Sequence, residues 1–595
     1  MGLKDSLLEK FKKLSGEERG KRQKGLGVGE KEFKIREPSG LVVLPDIDEI
    51  AEVDMRYTLI KSFADAHIAW DEDNDELVYK VEEPSLNVKE EKMFSRIRKG
   101  LEEKIETSLS SLDSKEETIE YLKEKIDSIR KELGIRMSSK EYMKIMYYVY
   151  RDFVGLNEIE PLMHDPYIED IGEDGTGVPL FIVHSKFGNL KTNIVFEDEE
   201  NLRSLVIKLA ERCGKYISYA NPIFDGSLPD GSRVNASLTR DVTSKGPTFS
   251  IRKFQETPYS AVDMIDMNSS NFEMMAYLWF VLEHDRSILV SGGTATGKTS
   301  FLNSIVTFIP PEEKIISIED TRELQLPHEN WIPSVARSGY SSQEEDVSMY
   351  KLLKESFRQN PDYVIVGEVR GEEASVLFQG MSSGHPSLGT MHASSPSTVI
   401  KRLVTPPINL SPTLVETLDI IIIMNRAKEV SKNARRVQAI YEIEKVEEGE
   451  SARTNEVFSW TPVDDTFEFK GSDNSIVFDA IQRRYGYSRK EIKEEIQKRK
   501  KILKWMKSSG IEDFHEVSKI ISEYYKDKKK VLKAAKGDKD PFRVIEQESS
   551  SASTGKKIKE RVEEKAEKKE TNNTKGESVE EDFSESKVEE NPFEE

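Results

Sequence analysis

Residues 292–300 read Gly-Gly-Thr-Ala-Thr-Gly-Lys-Thr-Ser and stand between the apolar run Ser287-Ile-Leu-Val290 and a segment with apolar residues at helical spacing. Glycines in such a loop let the backbone curl until successive N–H groups point at a phosphate, and the following helix adds its positive end. The pattern Gly-x-x-x-x-Gly-Lys-Thr, placed between a strand and a helix, is specific for a phosphate-binding loop. The sequence therefore predicts a nucleotide site on an α/β sheet.

Each residue type in this loop has a physical role in holding a nucleotide. Lys298 neutralises the β and γ phosphates of ATP, and the hydroxyl of Thr299 binds Mg²⁺. We therefore predict ATP and Mg²⁺ as cofactors. The residues expected to hold the nucleotide are Gly292, Gly293, Thr294, Ala295, Thr296, Gly297, Lys298, Thr299 and Ser300.

Short apolar runs alternate with helical patterns around this loop, from about residue 261 to residue 424. Such alternation predicts a largely parallel sheet with helices on both faces. The runs are Ser287-Ile-Leu-Val290, Lys314-Ile-Ile-Ser-Ile318, Tyr363-Val-Ile-Val366, Leu388-Gly-Thr-Met391 and Asp419-Ile-Ile-Ile-Ile423.

Acidic residues follow two of these predicted strands. Glu319 and Asp320 end the second run, and Glu368 ends the third. Ligands of open α/β sheets bind at the carboxyl edge of the strands, where the phosphate loop also lies. A carboxylate there holds Mg²⁺ or orients the attacking water, so we predict Thr299 and Glu368 at the metal. The residue pattern leaves open which of Glu319 and Glu368 is the general base.

Two of the eight histidines, His385 and His392, flank the fourth run. We expect both near the same edge of the sheet, where an imidazole can sense a γ-phosphate by hydrogen bonding. Spacing alone favours the more common structural role for an isolated histidine.

Length and composition limit the classes of protein to which the chain can belong. Its 595 residues exceed the roughly 250–300 residues of a single core, so we expect two or more globular units. The formal net charge of −21 argues against a protein that mainly coats nucleic acid. Cys213 is the only cysteine, which excludes an intrachain disulfide and a multi-cysteine zinc site. No apolar run approaches the roughly 20 residues of a membrane-spanning helix, and a cytoplasmic protein is predicted.

Composition shifts divide the chain into five regions. These are a basic, partly flexible N-terminal extension (1–86), a helical region (87–155), an α+β N-terminal domain (156–260), an α/β motor domain (261–528) and a disordered charged tail (529–595). Apolar residues recur at helical spacing within residues 3–14, beside lysines. This pattern fits either a helix lying at a membrane surface or a short helix docked on the protein itself.

Taken together, these motifs resemble the secretion and pilus-type ATPases, which include the type II secretion, type IV pilus and archaellum motors. The phosphate loop is similar to theirs, and so are the stretches that would be the aspartate box (318–324), the Walker B region (358–370) and the histidine box (384–392). Further similarity at 161–168, 225–233 and 251–254 extends the resemblance over roughly residues 140–525. The amino-acid sequence of the aspartate box looks most like that of the archaeal branch.

This resemblance implies a RecA-like motor domain preceded by an α+β domain, assembled as a homohexamer with ATP at the domain junction. Glu319 would be the general base for water, Glu368 the Walker B acid and His392 the γ-phosphate sensor. Arg233 and Arg240 would be brought onto the phosphates from the N-terminal domain, with Arg252 a weaker candidate.

The resemblance also implies partners and a location. The expected partners are a polytopic membrane platform protein and filament or pilin machinery, without nucleic acid, at the inner face of the cell membrane. Two alternatives stay open: a DNA-translocating, conjugation-type ATPase, and a nucleotide-gated scaffold that does not turn over ATP. The net charge weighs against the first, and the presence of both Glu319 and Glu368 against the second.

Overall fold

The structure is a computed structural model that describes residues 33–36, 44, 50–105, 115–254, 257–337, 346–430, 434–447 and 452–537. The amphipathic pattern at 3–14 and most of the predicted disordered tail lie outside the described residues. Within the described ranges, no helix is long and apolar enough to cross a membrane.

The N-terminal part of the chain forms a nine-stranded sheet. Its strands are β1 (Asp54–Ile60), β2 (Ala64–Asp71), β3 (Glu76–Glu82), β4 (Ile168–Glu173), β5 (Pro179–His184), β6 (Gly188–Val195), β7 (Ile223–Ser227), β8 (Arg233–Ser237) and β9 (Thr248–Arg252). Their order is β1-β2-β3-β6-β5-β4-β9-β8-β7. The β3–β6 pair is parallel and the other pairs are antiparallel.

Helices pack on this sheet through apolar residues at helical spacing. They are α1 (Val88–Lys104), α2 (Lys115–Glu132), α3 (Ser139–Val149), α4 (Glu160–Met163) and α5 (Glu199–Arg212). In α2 the residues that face the core are Leu122, Ile126 and Ile129. The start of α1 is fixed by a capping box, in which Asn87 and Glu90 each accept a backbone N–H of the other.

Strands β1, β2 and β3 lie within residues 1–86, the region expected from the sequence to be a basic, partly flexible extension. The Tyr57 and Tyr79 hydroxyls, from β1 and β3, each donate to Oδ2 of Asp165 at 2.6 Å. Both tyrosines are buried, so this shared carboxylate adds to the β3–β6 pairing in holding the three strands on the rest of the sheet.

The second sheet belongs to the motor region. Its strands are β10 (Ile288–Gly292), β11 (Ile315–Glu319), β12 (Trp331–Val335), β13 (Tyr363–Val366), β14 (Ser387–Met391), β15 (Ile420–Arg426), β16 (Arg435–Val446), β17 (Ala452–Thr461) and β18 (Thr466–Phe469). Their order is β12-β11-β13-β14-β10-β15-β16-β17-β18, parallel from β12 to β15 and antiparallel from β15 onward.

Helices cover both faces of the motor sheet and enclose two apolar cores. They are α6 (Ala261–Asp266), α7 (Phe272–Leu282), α8 (Lys298–Val306), α9 (Met349–Ser356), α10 (Glu373–Ser382), α11 (Pro396–Val404), α12 (Pro412–Val415), α13 (Ile476–Tyr485), α14 (Arg489–Ser508), α15 (Phe514–Lys526) and α16 (Lys528–Lys536). The predicted α/β motor domain, with an α+β domain before it, is confirmed. The tail was expected from residue 529, but α16 extends to Lys536 because Val531 and Ala534 are buried.

The strand order determines which side chains meet at the carboxyl edge of the sheet. The strand that leads into the phosphate loop, β10, lies between β14 and β15. Glu319 ends β11, while Glu368 and His392 follow the ends of β13 and β14, and all three strands lie on the same side of β10. Because these strands are parallel, their carboxyl ends meet at one edge of the sheet.

Candidate active site

The phosphate loop has the backbone that its glycines predict. Ala295 and Gly297 have φ values of 56° and 84°, in the left-handed region, and α8 begins at the next residue, Lys298. A Cβ on Gly292 would lie 2.6 Å from the Met424 carbonyl oxygen, so only glycine fits where the loop leaves the sheet. The loop is therefore held in a curl at the positive end of α8.

Lys298 lies over its own loop and is 8% exposed. Its Nζ donates to the Gly293 carbonyl at 2.9 Å and is 3.3 Å from Nδ1 of His392. Burial lowers the pKa of Lys298, partly against the nearby charge of Glu368. The ammonium is thus placed where a phosphate bound to the loop would meet it.

His392 connects this lysine to an acid. Its Nε2 lies 3.1 Å from Oε1 of Glu368. Burial and then the charge of Lys298 lower the pKa of His392, which favours a neutral ring. A neutral ring accepts from Lys298 at Nδ1 and carries its hydrogen on Nε2, on the side of Glu368. The Nε2–Oε1 contact is close but is not a hydrogen bond, because Oε1 of Glu368 is buried and has no hydrogen-bond partner among the described residues. The three side chains therefore form a polar chain of close contacts beside the loop.

The other histidine does not join this group. His385 precedes β14, whereas His392 directly follows it, so the strand separates them. The expectation that both lie near one edge is wrong, because an amino end and a carboxyl end of one strand are at opposite edges of the sheet. His385 instead packs edge-on against Phe357, with ring centroids 5.1 Å apart.

Glu319 is the last residue of β11 and is 1% exposed. Its Oε1 accepts the backbone N–H groups of Glu323 and Leu324 at 2.9 and 3.0 Å. Its Oε2 is buried and has no hydrogen-bond partner among the described residues. Burial raises the pKa of Glu319 to about 7, against the opposing effect of the two N–H donors. This is a carboxylate whose protonation changes near neutral pH.

Glu368 has the opposite electrostatic environment. Burial alone would raise its pKa, but the hydrogen bond from Arg370 and the charges of Arg370 and Lys298 lower it. Arg370 donates to Oε2 of Glu368, and the structure adds this residue to those predicted. Two acids at one sheet edge thus differ in protonation behaviour because burial dominates at Glu319, whereas nearby cations dominate at Glu368.

The two acids line one cavity of about 380 Å³ together with Thr299 and Arg370. This volume is within the range of small-molecule sites. Mg²⁺ is bound in proteins by oxygen ligands, commonly one or two carboxylates together with substrate phosphates. The hydroxyl of Thr299 and the carboxylate of Glu368 fit that requirement. In the described part of the chain, no group of three or more His, Cys, Asp or Glu residues could hold a metal without a substrate.

The structure brings two of the three candidate arginines to the loop. Arg233 and Arg252 are cross-strand partners on β8 and β9, and both line a smaller cavity of about 140 Å³ that also includes Thr299 and Ser300. Arg240 lines neither cavity. Its Nε donates to Oε2 of Glu199 on α5 at 2.6 Å.

The two arginines near the loop are held by acids. Arg233 makes two hydrogen bonds to Asp225, at 2.7 and 3.1 Å, and lies 3.8 Å from Asp320 of the aspartate box. Arg252 donates to Asp170 at 3.2 Å. Their guanidinium groups are therefore positioned beside the loop before any phosphate is bound.

Arg435, the first residue of β16, is a further cation at the loop, and sequence reasoning missed it. A Cβ on Gly297 would lie 3.2 Å from its Cδ. The sequence gives no signal for this residue, because its proximity depends on β15 and β16 forming a hairpin beside β10. Arg370, by contrast, lies inside the quoted Walker B stretch.

Several known proteins are similar in sequence to this chain. The family described as type II/IV secretion system protein matches residues 155–568. The uncharacterized protein MJ0900 of Methanocaldococcus jannaschii is 41% identical over 394 residues, covering 66% of this chain and 71% of that protein. A putative conjugal transfer protein of Mycobacterium tuberculosis, Rv3659c, is 29% identical over 223 residues, covering 36% of this chain and 63% of its own length.

Solved structures with a detectable likeness include two ATPases. The DotB ATPase of Legionella pneumophila is 16% identical, covers 63% of this chain and 95% of its own, and gives a TM-score of 0.35. The VirB11 ATPase of the Brucella suis type IV secretion system is 22% identical, covers 48% and 95%, and gives a TM-score of 0.25. Since the family match alone spans well over half of the residues, the chain belongs to the type II/IV secretion system protein family.

Proposed function

We propose that this protein hydrolyses ATP to ADP and phosphate and uses the free energy to drive a membrane-associated filament or secretion machine. The observation that carries the proposal is the polar chain Lys298–His392–Glu368 beside the phosphate loop, with the buried Glu319 at the same sheet edge. A site that only bound nucleotide would have no need of an acid placed to activate water.

The binding step uses the loop and the start of α8. Backbone N–H groups of the loop and the ammonium of Lys298 hold the β and γ phosphates. Thr299 and Glu368 would hold Mg²⁺, which supplies charge neutralisation on the phosphates when it is bound. Phosphate binding replaces the contact of Lys298 with the Gly293 carbonyl by a charge-assisted one.

The hydrolysis step needs a base for the attacking water. Water attacks the γ-phosphorus, the bond from that phosphorus to the β–γ bridging oxygen breaks, and the proton of the water passes to a carboxylate. A pKa of about 7 gives Glu319 a proton affinity close to the operating pH, which suits a general base. Glu368, with its lowered pKa, suits the orienting and metal-binding role. We therefore assign the base to Glu319.

Positive charge from the N-terminal domain would complete the site. Arg233 and Arg252 already line the cavity beside Thr299, and closure of the two domains would bring them onto the phosphates. Arg240 lines neither of the two cavities described above, which fits a role at the contact between neighbouring subunits. The proposed working unit is a homohexamer, with ATP at the junctions.

The proposed output is movement of a polytopic membrane platform protein that assembles an archaellum, a type IV pilus-like filament or a secretion filament. The protein would act from the cytoplasm, attached peripherally to the inner face of the cell membrane. Family membership supports the general kind of machine.

Steady-state phosphate release from the purified chain tests the catalytic assignment. Wild-type protein should release phosphate, while Lys298→Ala and Glu368→Gln should each lose at least about 100-fold in kcat. Lys490→Ala and Glu494→Gln are matched controls, because both residues are exposed on α14. Full activity in the two site variants would remove the assignment.

The same assay separates the alternatives. A nucleotide-gated scaffold would bind ATP but release no phosphate. A DNA-translocating ATPase would be stimulated by added DNA, and the stimulation would fall steeply with salt. We expect neither result.

A further inference from the structure

Arg435 lies against the phosphate loop on the side away from the acids. Its side chain packs beside Gly297, the residue immediately before Lys298. The strand order places β11, β13 and β14, which carry Glu319, Glu368 and His392, on one side of β10. Arg435 is on β16, on the other side of β10, beyond β15. The loop is thus flanked by the hydrolytic groups on one side and by this arginine on the other.

This arrangement gives the bound triphosphate a direction. A γ-phosphate within reach of the acids and the attacking water would face Lys298, Glu319 and Glu368. A triphosphate bound in that direction would extend its α-phosphate and nucleoside toward β15 and β16. A guanidinium is suited to phosphate because it offers two parallel N–H donors.

The guanidinium of Arg435 is held by an acid from the other sheet. Its Nη2 lies 3.2 Å from Oε2 of Glu169, which is on β4 of the N-terminal sheet. The two side chains are 30% and 33% exposed, so solvent screens their attraction. Such a pair is readily exchanged for a partner with more charge, such as a phosphate.

The local backbone explains how β4 presents Glu169. The pairing of β4 with β5 shifts register between Ile168 and Asp170, so Glu169 is the extra residue of an irregularity in the ladder. Bulges of this kind re-aim side chains and recur next to active sites. The next residue, Asp170, holds Arg252, the other arginine near the loop. One short segment of β4 therefore restrains two cations beside the nucleotide site.

We propose that Arg435 binds the α-phosphate end of the nucleotide and that Glu169 competes with the nucleotide for it. Without nucleotide, the Glu169–Arg435 pair holds the N-terminal domain on the motor domain. Binding of ADP or ATP transfers Arg435 to the phosphate and releases Glu169, so the pair couples occupancy of the site to the contact between domains. The inference rests on the proposed function, because it needs nucleotide on this loop.

Opposite effects of the two partners on affinity would test the competition. The measurement is the Kd of the full chain for a fluorescent ADP analogue with Mg²⁺. Glu169→Gln removes the competitor and should tighten binding about 2- to 5-fold. Arg435→Ala removes the phosphate contact and should weaken binding about 10-fold, with Arg435→Lys intermediate. The double variant should match Arg435→Ala, since Glu169 acts only through Arg435.

Controls distinguish the possible failures. Arg453 and Glu447 are joined at 2.9 Å near the opposite end of β16 from Arg435. The control variants Arg453→Ala and Glu447→Gln should therefore leave Kd unchanged. Tighter binding by Glu169→Gln cannot result from misfolding. Weaker or unchanged binding in Glu169→Gln would overturn the proposed competition between Glu169 and the nucleotide, while leaving the site assignment intact. If Lys298→Ala bound the analogue as well as wild type, both the site assignment and the proposed competition for Arg435 would be contradicted.

Discussion

At the scale of single residues, Glu319 carries the clearest electrostatic consequence. Its folded-state pKa of about 7 exceeds the ordinary value of 4.5, chiefly because the carboxyl group is buried. Below pH 4.5 the group is neutral in both the folded and the unfolded chain and has no effect on stability. Between pH 4.5 and about 7 the unfolded chain releases this proton while the folded chain keeps it, so the folded state loses stability as pH rises, and the loss levels off above pH 7.

Glu319→Gln should remove this pH dependence. We expect the free energy of unfolding of the variant, relative to wild type, to rise by on the order of 3 kcal/mol between pH 5 and pH 8. A constant offset from the amide group would not alter that difference. Urea denaturation followed by tryptophan fluorescence at the two pH values, without nucleotide, measures it. If the difference in the free energy of unfolding between variant and wild type were equal at both pH values, the pKa of Glu319 would not be raised by burial.

Single residues also show where sequence reasoning succeeded. Lys298, Glu319, Glu368 and His392 were predicted to meet because each follows a strand, and parallel strands end at one edge. The structure does bring them together. Arg435 could not be found, since its position depends on a hairpin that places residues 297 and 435 side by side.

At the scale of elements, one buried carboxylate adds to the β3–β6 pairing in attaching β1–β3 to the sheet. Asp165→Ala would leave the hydroxyls of Tyr57 and Tyr79 without their acceptor in a buried site. We expect destabilisation of about 2–4 kcal/mol and faster hydrogen exchange across residues 54–82. Hydrogen exchange with mass spectrometry measures this directly.

The matched control for that variant is Asp54→Ala. Asp54 lies on β1, but its side chain is 65% exposed and pairs with His67. It should change stability by less than about 1 kcal/mol. If both variants raised exchange equally, the Asp165 cluster would not be what holds the three strands.

Elements were predicted well where the sequence pattern was strong. The buried parallel strands read as continuous apolar runs, and all five runs named from the sequence correspond to β10, β11, β13, β14 and β15. Strands β1–β3 bury only one face, and their charged residues obscured the alternation. Edge strand β12 contains Pro333 and follows β11 without a helix, so neither length nor pattern marked it.

At the scale of the whole molecule, the proposed mechanism requires more than one copy of the chain. The two domains of one chain already bring Arg233 and Arg252 to the loop, but Arg240 stays paired with Glu199 of α5. If assembly supplies the remaining positive charge, turnover depends on how many subunits are in contact. A single chain should bind ATP yet hydrolyse it slowly.

The most direct test is specific ATPase activity measured over a range of protein concentration, with the oligomeric state determined in the same samples by sedimentation velocity. Activity per subunit should rise with the hexamer fraction and level off when assembly is complete. Lys298→Ala, which assembles without binding phosphate productively, should stay inactive at every concentration. Full activity per subunit in samples that sediment as monomers would contradict a site completed by assembly, and no phosphate release from the hexamer would contradict the ATPase itself.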